Sequence, residues 1–118
     1  MATDIDTLVS AVDEDWIVER TRELVEVESE TLDEQEVCAL FERQMRGLGL
    51  DVDVREVTPG RNNLYARIPG SGRGPALLFN GHLDTIAVGG CPPCRLEGDR
   101  LYGRGSTDMK GGVASMLG

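Results

Sequence analysis

Three side chains in the C-terminal third of the chain have the types and spacing needed for metal chemistry. His82 is the only histidine, and it stands two residues before Asp84. Both directly follow a short apolar run, residues 76–80. Side chains at i and i+2 of an extended segment point the same way. His82 and Asp84 are therefore expected to face the crevice beyond a strand end, where open α/β sheets place ligands. A neutral imidazole is a first-rank ligand for zinc and similar ions. A carboxylate or carbonyl beside its other ring nitrogen fixes tautomer and orientation. Alone, His-x-Asp reads more often as a strand-end histidine paired with a turn aspartate. Asp108 shifts that balance. It follows Gly103-Arg104-Gly105-Ser106-Thr107, at the start of a predicted helix. Glycines there let the backbone turn sharply and approach a ligand closely. An aspartate at that place can be an N-cap, or it can offer its two oxygens to two metal ions. A phosphate loop is excluded, because Lys110 is followed by two glycines and Gly-x-x-x-x-Gly-Lys-Ser/Thr does not occur.

These residues need elements to hold them. From Asp15, the apolar residues Trp16, Ile17, Leu24 and Val25, with Thr21, recur at three- and four-residue steps, which predicts an amphipathic helix. Trp16 is expected to anchor it to the core. Thr31-Leu32-Asp33-Glu34 fits a capping box for a second helix. Val37, Leu40, Phe41, Met45 and Leu48 form its apolar stripe, Cys38 lies beside it, and Gly47 and Gly49 mark its end. Val52, Val54 and Val57 then alternate with charged residues as in a half-buried strand. Residues 58–62 signal a turn and residues 63–68 a partner strand. The apolar run at 76–80, bounded by turns, predicts an interior strand covered on both faces. A weak strand follows at 96–103, broken by Gly98-Asp99, and Met109, Val113 and Met116 or Leu117 begin another helix. The order of helices and strands is that of an α/β fold. The last helical pattern has no stop signal before Gly118, so the natural protein is expected to continue beyond it.

Composition narrows the function. The 118 residues suit one domain. Twelve basic against 21 acidic residues give a net charge of −9, which repels nucleic acid and anionic membrane. The acidic N-terminus lacks the basic and apolar regions of a signal peptide, so a cytoplasmic protein is expected. Residues 1–14 read as loose chain or a short helical turn. Three cysteines without a secretory signal do not make a disulfide framework. Cys91-Pro92-Pro93-Cys94 has no second pair with which to build a four-ligand zinc site, and reads as a loop with two incidental thiols.

Gly81-His82-Leu83-Asp84-Thr85, followed by Leu101-Tyr102 and then Gly103 through Gly112 (GRGSTDMKGG), resembles the two N-terminal signatures of the M20 metallopeptidase family. That family includes acetylornithine deacetylase, succinyl-diaminopimelate desuccinylase, aminoacylase and glutamate carboxypeptidases. The resemblance implies that residues 1–118 form the N-terminal portion of one zinc-peptidase-like catalytic domain, a mixed sheet flanked by helices. It implies two divalent metal ions, usually zinc with cobalt accepted. His82 then resembles the histidine bound to one ion. Asp84 resembles the catalytic aspartate that braces that imidazole, and Asp108 the aspartate that bridges both ions, with a cis bond following it. The implied reaction is cleavage of an amide in an N-acyl amino acid or small peptide by an activated water. The implied general base, further ligands and a dimerisation domain would lie beyond residue 118, so this stretch alone is expected to be inactive. The loop Gly89-Gly90-Cys91-Pro92-Pro93-Cys94 departs from the family pattern, which leaves the substrate open. The alternative is a non-catalytic chain that packs against a partner or binds metal weakly.

Overall fold

The computed structural model describes residues 4–118. Residues 1–3 of the polar N-terminal stretch lie outside the described part. The elements run α1 (Ile5–Ser10), α2 (Glu14–Glu26), α3 (Gln35–Gly47), β1 (Val52–Thr58), β2 (Arg61–Ala66), β3 (Arg95–Glu97), β4 (Arg100–Tyr102) and α4 (Gly111–Ser115). The chain is a small α/β domain. No helix among the described residues is long and apolar enough to cross a membrane.

Helix α2 starts where Asp13 accepts a hydrogen bond from the Trp16 N–H at 3.0 Å, which satisfies one orphan donor of the first turn. Its buried face is Thr21, Leu24 and Val25. Trp16 is only half-buried, and Ile17 is the residue of that turn that packs on the core. Helix α3 presents Val37, Cys38, Phe41 and Met45 inward. It ends as the glycines predict. Gly49 adopts φ 78°, and its N–H reaches the Arg46 carbonyl while the Leu50 N–H reaches that of Met45. That pair of bonds is a Schellman ending. The start of α3 differs from expectation. Its N-cap is Glu34, not Thr31, and the Glu34 carboxylate reaches back to the Leu32 N–H at 2.9 Å and not to that of Thr31. Glu34 accepts two hydrogen bonds from the Arg61 guanidinium, at 2.9 and 2.6 Å, and Thr31 turns toward Asp84.

One core joins α2, α3 and α4 to β1. Leu24, Val37, Phe41, Met45, Val52, Val113 and Ala114 are buried together, with Leu83 and Met109 packed against them. Strands β1 and β2 form an antiparallel hairpin, and β3 and β4 a second one. The second turns at Gly98-Asp99, with Gly98 at φ 62°, as a two-residue turn with glycine first requires.

Two expectations are corrected here. Residues 76–80 form no strand, and Leu77, Leu78 and Phe79 are 80%, 83% and 61% exposed. An interior strand needs a neighbour on each edge, and no described segment pairs with this one. The sheets are likewise two separate antiparallel pairs and not one mixed sheet. The only parallel pairing among the described residues is a bridge between Glu30 and Thr85.

Candidate metal centre

The segment 81–85 is held by the connection between α2 and α3. The Thr85 N–H donates to the Ser29 carbonyl at 2.8 Å, and the Thr31 N–H donates to the Thr85 carbonyl at 3.0 Å. The buried Ser29 hydroxyl donates to the Leu83 carbonyl at 2.8 Å. This local ladder keeps 83–85 extended, so alternation applies. Leu83 packs on the core and Thr85 is buried, while His82 and Asp84 turn outward into one cleft.

Across that cleft lies Asp108. Gly105 has φ 84° and starts a wide turn, closed by the Lys110 N–H donating to the Gly105 carbonyl at 2.8 Å. A Cβ at Gly105 would stand 2.7 Å from Thr85 Cγ2 and 3.1 Å from Lys110 Cδ, so glycine is required twice over. Inside the turn Asp108 has φ −123° and ψ 97°, and its bond to Met109 is cis, as the family resemblance implied. Asp108 is therefore not the N-cap of a helix. Helix α4 begins only at Gly111, and the Asp108 carboxylate stands free of it, 86% exposed.

The cleft, about 320 Å³, is lined by Thr31, His82, Asp84, Arg104 and Asp108 among others. His82 Nε2 lies 3.0 Å from Asp108 Oδ1. His82 Nδ1 lies 3.0 Å from the Asp84 carbonyl oxygen and 3.1 Å from Asp84 Oδ1. Partial burial pushes the imidazole pKa down. The Asp84 carbonyl, the Asp108 carboxylate and the charge of both aspartates outweigh it, and the net direction is upward. A nitrogen lone pair and a carboxylate oxygen repel at 3.0 Å. Either a proton or a cation must lie between Nε2 and Oδ1. Nδ1 faces only acceptors and carries its own proton. The second proton, on Nε2, is the one a metal ion would replace.

The donor pair fits an ion. Two ligands at ~2.0–2.2 Å on a tetrahedral centre stand about 3.4 Å apart, a few tenths of an ångström from the observed 3.0 Å. Nitrogen plus carboxylate oxygen is a donor set that zinc accepts. The pair does not complete a site. Among the described residues no group of three or more His, Cys, Asp or Glu is placed to hold an ion, and no glutamate lines the cleft.

Sequence reasoning brought His82, Asp84 and Asp108 forward, and the structure brings all three together. It missed three others. Thr31 donates to Asp84 Oδ2 at 2.6 Å. Arg104 donates to the Ala87 and Val88 carbonyls at 3.1 and 3.3 Å and pins the loop after the site. Lys110 is 1% exposed and donates to the Val27 carbonyl at 2.7 Å, at the end of α2. A capping-box pattern masked Thr31, and a lysine between apolar helix positions reads as solvent-facing. Cys91 and Cys94 are free. Burial pushes the Cys94 thiol up, away from thiolate chemistry.

Helices, extended segment and glycine turn thus present a histidine and two aspartates in one cleft. The resemblance to the M20 peptidases is borne out: the sequence model of Peptidase family M20/M25/M40 matches residues 78–118. A succinyl-diaminopimelate desuccinylase of Gluconacetobacter diazotrophicus is 37% identical over 106 residues, covering 82% of this chain and 27% of that protein. A Thermococcus kodakarensis protein named as a LysW-lysine/LysW-ornithine hydrolase is 39% identical over 100 residues, covering 85% of this chain and 27% of its own length. Protein YqjE of Bacillus subtilis is 32% identical over 114 residues, covering 90% of this chain and 31% of its own. The chain thus spans between a quarter and a third of these relatives.

Proposed function

We propose that this chain contributes the first ligands of an M20-type two-metal centre that hydrolyses an amide bond in an N-acyl amino acid or small peptide. The observation that carries the reading is the approach of His82 Nε2 to Asp108 Oδ1, 3.0 Å across an open cleft. His82 would hold one divalent ion, zinc or cobalt, and Asp108 would be shared between two. Bound there, such ions lower the pKa of a water and polarise a carbonyl oxygen. The protein residues do the positioning. The Asp84 carbonyl and Oδ1 hold the proton on Nδ1, which would leave the Nε2 lone pair free for an ion. Asp108 is exposed, with Oδ1 toward His82.

The amide-hydrolase reading rests on the desuccinylase and hydrolase relatives. The acidic surface, net −9, fits a cytoplasmic protein that works on a small molecule, without nucleic acid or membrane, as a homodimer in its full form. Two ligands and no base make no complete catalyst, so residues 1–118 alone are expected not to hydrolyse N-acyl amino acids.

Equilibrium dialysis with zinc tests the centre. The chain should take up zinc, and a His82→Ala/Asp108→Ala variant should lose at least about 10-fold in affinity. Equal uptake by both proteins would remove the pair as the site.

A further inference from the structure

The α2–α3 connection does more than link two helices. It reaches over the segment 83–85 and bonds to it four times, twice through backbone and twice through hydroxyls. One of those bonds ends on the residue behind the candidate ligand. The Thr31 hydroxyl lies 2.6 Å from Asp84 Oδ2 and 3.4 Å from the Thr85 carbonyl. A hydroxyl has one proton to give, and the contact at 2.6 Å to the carboxylate is the stronger of the two. With Oδ2 held by Thr31, the other oxygen, Oδ1, is turned to His82 Nδ1 at 3.1 Å. The carboxylate would otherwise rotate about its terminal torsion, which is broad and roughly two-fold. Asp84 is 29% exposed, so water would compete for it.

We propose that Thr31 is a positioning residue for the metal centre, acting through Asp84 on the imidazole of His82. The chain of contacts runs from the Thr31 hydroxyl to Asp84 Oδ2, from Asp84 Oδ1 to His82 Nδ1, and from His82 Nε2 to the face shared with Asp108. This inference rests on the metal-centre reading above for its first readout, and is independent of it for its second. A nearly isosteric Thr31→Val keeps the Thr31 N–H to Thr85 bond and removes only the hydroxyl. Thr31→Ser keeps the hydroxyl.

Zinc affinity is measured by dialysis for wild type, Thr31→Val, Thr31→Ser, Asp84→Ala and the Thr31→Val/Asp84→Ala pair. Thr31→Val should weaken zinc by about 10-fold, the low end for groups that support a ligand. Thr31→Ser should stay within about twofold of wild type. In the Asp84→Ala background Thr31→Val should change nothing further, because residues that act through one contact are not additive. A Thr31→Val equal to wild type, or an undiminished loss in the Asp84→Ala background, overturns the proposal. The second readout is the ¹⁵N signal of Nδ1 in metal-free protein, unambiguous because His82 is the only histidine. It should shift in Thr31→Val, not in Thr31→Ser, and not between Asp84→Ala and the double variant. If wild type takes up no zinc, the metal reading falls, and this signal alone decides for or against Thr31.

Discussion

Lys110 is the only lysine in a chain whose other cations are arginines, and it is almost wholly buried. Its stem runs beneath Gly105, and its ammonium meets the Val27 carbonyl just past the end of α2. The negative end of the helix favours a cation there, but desolvation dominates and lowers the pKa from 10.5 to about 8. The folded protein therefore holds this proton more weakly than the unfolded chain. Unfolding takes up a proton between about pH 8 and 10.5, so this contribution to stability rises with pH across that window. It is fully present above 10.5 and lost as pH falls through about 8. With 1.36 kcal/mol per pH unit, it changes by about 2.5 kcal/mol between pH 7 and pH 10.

Lys110→Met separates this from other groups that titrate in the same range. Methionine fills the channel without a charge. At pH 7 it removes a desolvation cost of about 3 kcal/mol and leaves the Val27 carbonyl without its donor, a loss of about 1–3 kcal/mol. The variant should then match or exceed wild type at pH 7. At pH 10 it should be the less stable of the two, because wild type has gained its ~2.5 kcal/mol. Urea unfolding of metal-free protein followed by circular dichroism at both pH values gives the two differences. A gap between the proteins that is the same at both refutes the reasoning. So does a ¹⁵Nζ titration of Lys110 with its midpoint at about 10 or above, the range of a solvated lysine.

Other outcomes follow from single features. Gly105→Ala places a Cβ 2.7 Å from Thr85 Cγ2 at φ 84°, so it should cost about 2 kcal/mol or more and weaken zinc uptake by displacing Asp108; thermal unfolding and dialysis check both. Zinc must displace the proton that His82 holds more tightly than an ordinary imidazole. Affinity should therefore fall by about tenfold per pH unit below the raised His82 pKa, and a pH-independent affinity would exclude that competition. Leu78, 83% exposed, supports nothing among the described residues. Leu78→Asp should leave unfolding within about 0.5 kcal/mol of wild type while reducing concentration-dependent association, measured by sedimentation.

How much of this was legible before the fold was seen depends on the range of the interaction. The α3 ending was written in Gly47-Leu48-Gly49-Leu50, because a Schellman turn is local and needs only one left-handed residue. His82 and Asp84 facing one way followed from period two, and the prominence of Asp108 from its glycines. The failures are all non-local. Thr31 and Glu34 fit a capping box on paper, yet each found a stronger partner far along the chain, Asp84 and Arg61. Residues 76–80 have the composition of an interior strand, but composition supplies no neighbour, and a strand edge cannot satisfy itself.

Lys110 shows the same limit from the opposite side. Its position between Met109 and Gly111 gave no sign of burial, since a lone lysine beside glycines is the ordinary mark of a solvated turn. What buries it is the wide turn that also swings Asp108 out of helical geometry. The long stem of Lys110 ties the inner side of that turn to the carbonyl of Val27. Thr31 acts on the other wall of the cleft in the same way, from the next stretch of the same α2–α3 connection. Both walls of the site are thus tied within four residues of one another, at Val27 and Thr31.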